Sequence, residues 1–282
     1  MFQFKYNVKV STYHWTSPDA RFIYQLSIRK LMKISVSLLS SYMYCSRKLF
    51  LQKVLMLEEP PKESLVLGSI RHETYDKINK NEENIVASIT KKLLFEDIEK
   101  VYKTEYLKIL RKSIADNKKR LEGVNLNMLD AYKKSFPFIM EESQLRASNI
   151  FNFIEKNGIY GDELWQKLTP KILSELRVES EELRLKGIID QVHVYENNYV
   201  PFELKTGKMP QEGVWPGHRV QIAAYSLLLQ EKFQKPVKEG FVYYLDSKEK
   251  RHITINPYMK EEIKQLVDDV IALMESKELP DF

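Results

Sequence analysis

The hydrophobic period changes near Pro170. Upstream, apolar residues recur three and four apart, the spacing of amphipathic helices; downstream they alternate over short stretches, the spacing of strands. Such a chain builds helices first and then a small mixed sheet with helices against it, an α/β architecture. One helix is expected from Ser35 to Glu58, with Ser37 as its cap and Leu38, Tyr42, Cys45, Leu49 and Val54 on one face, ending at Glu59-Pro60-Pro61. A second runs from Leu65 to Ile78 and carries Gly68 and His72, and residues 85–170 are mostly helical with an interruption at Pro137. Strands follow at Leu173–Glu179, Glu182–Lys186, Ile188–Tyr195 and Tyr199–Leu204, with a turn at Glu196-Asn197-Asn198. A helix spans Gly217 to Phe233, strands cover Val237–Asp246 and His252–Ile255, and a last helix runs from Pro257 to Lys277.

Two of these strands end in polar residues. Gly187-Ile188-Ile189-Asp190 closes an apolar run with an acid, and twelve residues intervene before Glu203 in Phe202-Glu203-Leu204-Lys205. Glu203 and Lys205 share strand parity and face one way. Side by side, the two strands would place Asp190 and Glu203 as oxygen ligands for a hard divalent cation, with an ammonium beside them. Hydrolysing a phosphodiester needs an activated water, neutralised charge on phosphorus and a stabilised leaving oxygen, and bound Mg²⁺ or Mn²⁺ assists all three. The carbonyl of Leu204 would be a further ligand and Lys205 would orient the water or stabilise developing charge. His72, on a helix one turn after Gly68, suits Mn²⁺ and is acceptable for Mg²⁺ in a mixed nitrogen and oxygen site. Gln221 and Tyr225, four apart, put an amide and a phenol on one helix face, able to support the ligand strand, a phosphate or a base.

Each feature has a plainer reading. An acid, twelve residues, then Glu-x-Lys arises by chance in a chain that is 29% charged. A lone helix histidine is commonly structural. Cys45 suits a small buried apolar position, and Arg111, Lys112, Lys118, Lys119 and Arg120 suit a solvated helix face. The order of the motifs is what sets them apart. Gly68-x-x-x-His72-Glu73, Gly187-Ile188-Ile189-Asp190, Glu203-Leu204-Lys205 and Gln221-x-x-x-Tyr225 resemble, in that order, the RecB-like branch of the PD-(D/E)XK nucleases. The segment Tyr42-x-x-Cys45-Ser46-Arg47-Lys48-Leu49-Phe50 is similar to the N-terminal part of the CRISPR-associated RecB-like exonucleases.

The resemblance implies a restriction-endonuclease-like core and Mg²⁺- or Mn²⁺-dependent DNA cleavage. It assigns His72, Asp190, Glu203 and Lys205 to catalysis, with Gln221 and Tyr225 in support. It divides residues 32–282 of a single nuclease domain into a mainly helical part (32–170), a mixed sheet (171–256) and a C-terminal helix (257–282). The expected activity is an exonuclease on single-stranded DNA or DNA ends in CRISPR adaptation, working beside the integrase proteins, with oligomeric assembly left open. An assembly protein that kept the fold and lost activity, and a recombination or repair nuclease outside CRISPR, are the alternatives. The family typically carries an iron–sulfur cluster held by four cysteines, and here Cys45 alone matches, so no cluster is expected.

The remaining composition sets bounds. A net charge of +5 permits a nucleic-acid partner without requiring one. A single cysteine excludes an internal disulfide. With no apolar stretch near the ~18 residues that span a bilayer and no apolar secretory core at the start, a cytoplasmic protein without a membrane partner is expected. Residues 1–31 are expected to be an accessory extension or an upstream start called in error, since the alternating run Phe2–Val10 is broken at Trp15–Asp19 and Met32-Lys33-Ile34-Ser35 reads like a fresh start.

Overall fold

The computed structural model describes residues 32–196, 198–276 and 278–280; the expectation for 1–31 lies outside them. Strand β1 (Ile34–Ser35) leads into helices α1 (Val36–Tyr44) and α2 (Ser46–Lys53). A helical lobe follows: α3 (Glu63–Ala87), α4 (Phe95–Asp116), α5 (Lys118–Glu122), α6 (Met128–Asn157) and α7 (Gly161–Lys167). Then come β2 (Lys171–Ser180), β3 (Leu185–Val194), β4 (Tyr199–Lys205), α8 (Pro216–Phe233), β5 (Glu239–Tyr244), β6 (Glu249–Thr254) and α9 (Tyr258–Glu275). No described helix is long and apolar enough to cross a membrane.

The mixed sheet runs β1-β3-β4-β5-β6, with β2 also on β3. β2 pairs antiparallel along one edge of β3, with no rung at Asp190. The other edge is shared: β1 pairs in parallel at Leu185 and Lys186, and β4 pairs antiparallel at Gln191 to Val194. Gly187 to Asp190 is left uncovered between them. β4 pairs in parallel with β5, which pairs antiparallel with β6. This helix-flanked mixed sheet with its helical N-terminal lobe is a restriction-endonuclease-like α/β architecture.

Two apolar cores sandwich the sheet. One joins α1, α8 and α9 to β3 and β5 through Leu39, Ile189, Val220, Leu228, Val242 and Ile263. The other fills the helical lobe through Ile70, Ile78, Tyr102, Leu110, Ile139 and Ile150 and reaches Leu204 on β4. Each such side chain contributes about 1.5–3 kcal/mol when fully buried. The stripe Met259, Ile263, Val267 and Val270 shows why α9 docks: spacings of four, four and three keep one face apolar.

Three expectations are corrected. The helix predicted over 35–58 breaks at Cys45, which is extended (φ −168, ψ 106) and caps α2 by accepting Lys48 N–H on Sγ at 3.4 Å. It is half-buried rather than a core residue. The interruption expected at Pro137 does not occur: α6 runs through it, because Ala131 and Ser135 before it and Ile139 after it are all buried. That packing, mainly against α4, outweighs a penalty of about 3 kcal/mol. Finally, Glu182–Lys186 and Ile188–Tyr195 do not form two strands. A turn occupies Glu181 to Arg184, and β3 continues through Gly187.

Candidate active site

The ladder between β3 and β4 stops at Gln191 opposite Phe202. Asp190 and Glu203 stand one step beyond, where the strands part. There the Asp190 side chain replaces the missing backbone partner: Oδ2 accepts the Leu204 N–H at 2.7 Å. Its other oxygen, Oδ1, lies 3.2 Å from His72 Nδ1 on α3. On β4, then, the amide of Leu204 touches Asp190.

Glu203 is 4% exposed. Its Oε1 accepts from Lys205 Nζ at 2.8 Å and from Gln221 Nε2 at 2.6 Å. Gln221 closes the triangle by accepting from Lys205 Nζ at 3.0 Å. Tyr225, one turn along α8, donates to the Ile188 carbonyl at 2.8 Å and lies 3.3 Å from Gln221 Nε2. Glu203 Oε2 is buried with no partner. The structure therefore brings all six sequence-selected side chains, His72, Asp190, Glu203, Lys205, Gln221 and Tyr225, into one connected neighbourhood.

The glycines of the motifs have steric reasons. A Cβ on Gly187 would meet Tyr225 Cε1 at 2.6 Å, so the phenol reaches β3 only across a bare backbone. A Cβ on Gly68 would meet Thr206 Oγ1 at 2.9 Å, so α3 lies close to the end of β4 and delivers His72. Arg71, beside His72, is anchored by Asp246 Oδ1 at 2.5 Å and the Lys134 carbonyl at 2.8 Å, over the Phe138 ring. Asp246 Oδ2 also accepts Gly207 N–H at 2.7 Å, tying the loop after β4 to that anchor.

Electrostatics mark the same spot. Burial, reinforced by the charge of Asp190, pushes Glu203 up to about 7 against the opposing pull of Lys205. Burial alone would lower His72, but its bond to Asp190 and that carboxylate's charge raise it overall. Tyr225 is raised by burial and then by Glu203. A cleft of about 960 Å³ opens beside Asp190 and Glu203, lined also by Arg177, Lys186 and Lys232 and by Glu179 and Glu231. Trp215, in the loop after β4, is 45% exposed and donates Nε1–H to the Lys208 carbonyl at 3.0 Å.

Two carboxylates and an imidazole suit a hard divalent cation in kind. Among the described residues no group of three or more His, Cys, Asp and Glu is disposed to hold a metal ion: His72 and Asp190 satisfy one another, and Glu203 faces Lys205 and Gln221. The observation that fits a cation is Glu203 Oε2, a buried carboxylate oxygen with no hydrogen-bond partner.

One neighbour escaped sequence reasoning. Glu175 on β2 is half-buried with φ 49, a left-handed backbone that costs a residue with a Cβ about 1–3 kcal/mol. Burial and then the charges of Asp190 and Asp76 raise its pKa. An alternating strand pattern carries no signal for such a kink.

The fold is that of a nuclease class, and comparison with known proteins agrees. The chain belongs to the PD-(D/E)XK nuclease superfamily, whose family model matches residues 33–280. It is similar to the CRISPR-associated exonuclease Cas4 of Francisella tularensis subsp. novicida, 33% identical over 106 residues, covering 38% of this chain and 52% of that protein. A Cas4/endonuclease Cas1 fusion of Leptospira interrogans is 27% identical over 157 residues, covering 49% and 29%. The human DNA replication ATP-dependent helicase/nuclease DNA2 is 25% identical over 249 residues, covering 83% and 22%. The chain thus spans about half or less of these relatives.

Proposed function

We propose that this protein is a metal-dependent deoxyribonuclease of the RecB-like branch, acting as an exonuclease on single-stranded DNA or DNA ends. The observation that carries the reading is the unpartnered, buried Glu203 Oε2 beside Asp190 and Lys205. Asp190, Glu203, His72 and the Leu204 carbonyl would hold Mg²⁺ or Mn²⁺, which when bound supplies Lewis-acid stabilisation and an acidified water.

The chain's own residues do the rest. Lys205, fixed between Glu203 and Gln221 at 2.8 and 3.0 Å, is placed to hold the attacking water and to meet negative charge developing on phosphate. Gln221 fixes both partners, so Lys205 and Glu203 move as one unit. Tyr225 pins that unit to the β3 backbone two residues before Asp190. Arg177, Lys186 and Lys232 on the cleft rim would attract the phosphate backbone, in an interaction that weakens with salt.

The proposed setting is spacer-precursor processing in CRISPR adaptation, in the cytoplasm and beside integrase proteins. The matches to a Cas4 exonuclease and to a Cas4/Cas1 fusion support it. A second reading, a replication or repair nuclease, is favoured by the match to human DNA2 across 83% of this chain.

Digestion of 5′- and 3′-labelled single- and double-stranded DNA with Mn²⁺, Mg²⁺ or EDTA tests the activity. Cleavage that needs metal and is lost in Glu203→Ala is expected, with the product ladders giving polarity. DNA binding without cleavage under every condition would overturn the nuclease reading in favour of an assembly protein. Unimpaired cleavage by Glu203→Ala would place the site elsewhere.

A further inference from the structure

A cavity of about 500 Å³ lies between α6 and the sheet, apart from the cleft beside Asp190 and Glu203. Its floor is built by strand side chains that share one face: Gln191 and His193 on β3, Phe202 on β4 and Tyr243 on β5. The His193 ring stacks on Phe202 at 3.8 Å between centres, and Phe202 on Phe241 at 4.8 Å. Small-molecule sites are typically of this size and mostly apolar, with a few placed polar groups.

One of those polar groups is unanswered within the chain. Gln191 is 5% exposed; its Oε1 lies 3.3 Å from His193 Nε2, and its amide nitrogen donates to no group among the described residues. A buried donor without an acceptor is costly, and this one borders the cavity. The charges around it point the same way. Glu82 and Glu142 line the cavity, but Arg146 engages both. Lys156 and Lys250 line it too, exposed and outside any ion pair among the described residues, with Lys250 Nζ 5.2 Å from the Tyr243 ring centre. Burial, then the charges of Arg146 and Lys250, push the His193 pKa down to about 3. A neutral imidazole can both donate and accept.

Aromatic walls, an unfilled amide donor and two available ammonium groups match a planar heterocycle that carries a phosphate. Building on the nuclease reading above, whose product is such a molecule, we propose that this cavity binds a nucleoside monophosphate, with its base at Gln191 and His193 and its phosphate at Lys250 and Lys156. Gln191 and Phe202 form the last rung before β3 and β4 part. Asp190 and Glu203 are the next residues along and turn to the other face. The bound nucleotide therefore sits back to back with the two acids, against the rung that holds them.

Calorimetric titration of dAMP into the full chain in EDTA tests this, with wild type, Lys250→Met, Gln191→Leu and Lys205→Met, and with inorganic phosphate as a second titrant. Wild type should bind dAMP at one site and more tightly than phosphate. Lys250→Met and Gln191→Leu should each weaken dAMP about fivefold or more, and Lys205→Met should leave it within about twofold. Lys250 is exposed, so its variant decides alone if Gln191→Leu does not fold. Wild-type affinity weaker than about 1 mM, phosphate bound as tightly as dAMP, or unchanged affinity in folded Lys250→Met or Gln191→Leu overturns the proposal. Weakening by Lys205→Met alone places the nucleotide in the active-site cleft and overturns it too. DNA cleavage is a separate readout: cleavage without dAMP binding overturns this site alone, whereas dAMP binding that needs Lys250, without cleavage, keeps the site and overturns the nuclease reading.

Discussion

Arg146 in the helical lobe and Glu203 in the sheet are both buried charges, 6% and 4% exposed, and they are handled in opposite ways. The Arg146 guanidinium has every nitrogen engaged: NH1 with Glu82, Nε with Glu142 Oε1 at 2.7 Å, and NH2 with Asn79 Oδ1 at 2.9 Å. Burial would lower its pKa, but the two carboxylates raise it well above the usual value, so it stays charged. Glu203 has one oxygen doubly bonded and the other bare, and its pKa rises toward neutrality. The Arg146 network locks α3 to α6 with every guanidinium nitrogen engaged, leaving Asn79 Nδ2 without a partner. The Glu203 network leaves one acceptor free, which in the proposed function takes a cation. The same desolvation cost therefore goes with a fully engaged charge in one place and an unfilled acceptor in the other.

The largest expected effect would break the comparison at its functional end. Glu203→Ala or Asp190→Ala should lower DNA cleavage on the order of 10³-fold, measured on labelled strands, while circular dichroism shows the fold retained. Arg146→Met should leave cleavage per folded molecule unchanged. Next comes stability. Arg146→Ala strands Glu82 and Glu142 and should cost about 3–5 kcal/mol in urea unfolding. Glu203→Gln should cost less, because it removes a buried charge that has a single ion-pair partner, Lys205, and one unpartnered oxygen.

The pH response sharpens the contrast. In EDTA, Glu203 binds its proton more tightly in the folded chain, at about 7, than at its ordinary 4.5. Its contribution to stability is therefore full below about 4.5 and is lost as pH rises through about 7. The melting temperature should fall across that window in wild type and fall less in Glu203→Gln; equal slopes would remove Glu203 as the cause. The smallest effect belongs to Tyr225→Phe. It loses the bond to the Ile188 carbonyl, about 1 kcal/mol, and should slow cleavage modestly compared with the acid variants.

Much of the site was legible because strands have a period of two. The shared parity of Glu203 and Lys205, and an acid closing the Gly187–Asp190 run, needed only alternation to be read. His72 lies far from Asp190 along the chain, and only the order of motifs pointed to it. The Arg146 network was not legible, because Glu142 and Arg146 four apart look like any solvated helix pair until α3 supplies Glu82 and Asn79. Glu175 was hidden for another reason: a single left-handed φ leaves no mark in a hydrophobic pattern. The break at Cys45 came without glycine or proline, and the continuous helix at Pro137 came despite one. At Pro137 tertiary packing prevailed over local preference, while at Cys45 an extended residue ends one helix and caps the next through its Sγ.

The central claim is that Glu203 carries an open charge meant for a cation while Arg146 does not. Thermal melting at pH 8, with EDTA or with Mn²⁺, of wild type, Glu203→Gln and Arg146→Met tests it most directly. Mn²⁺ should raise the melting temperature of wild type and of Arg146→Met, the latter from a lower start, and leave Glu203→Gln unmoved. An equal Mn²⁺ shift in Glu203→Gln would contradict the account.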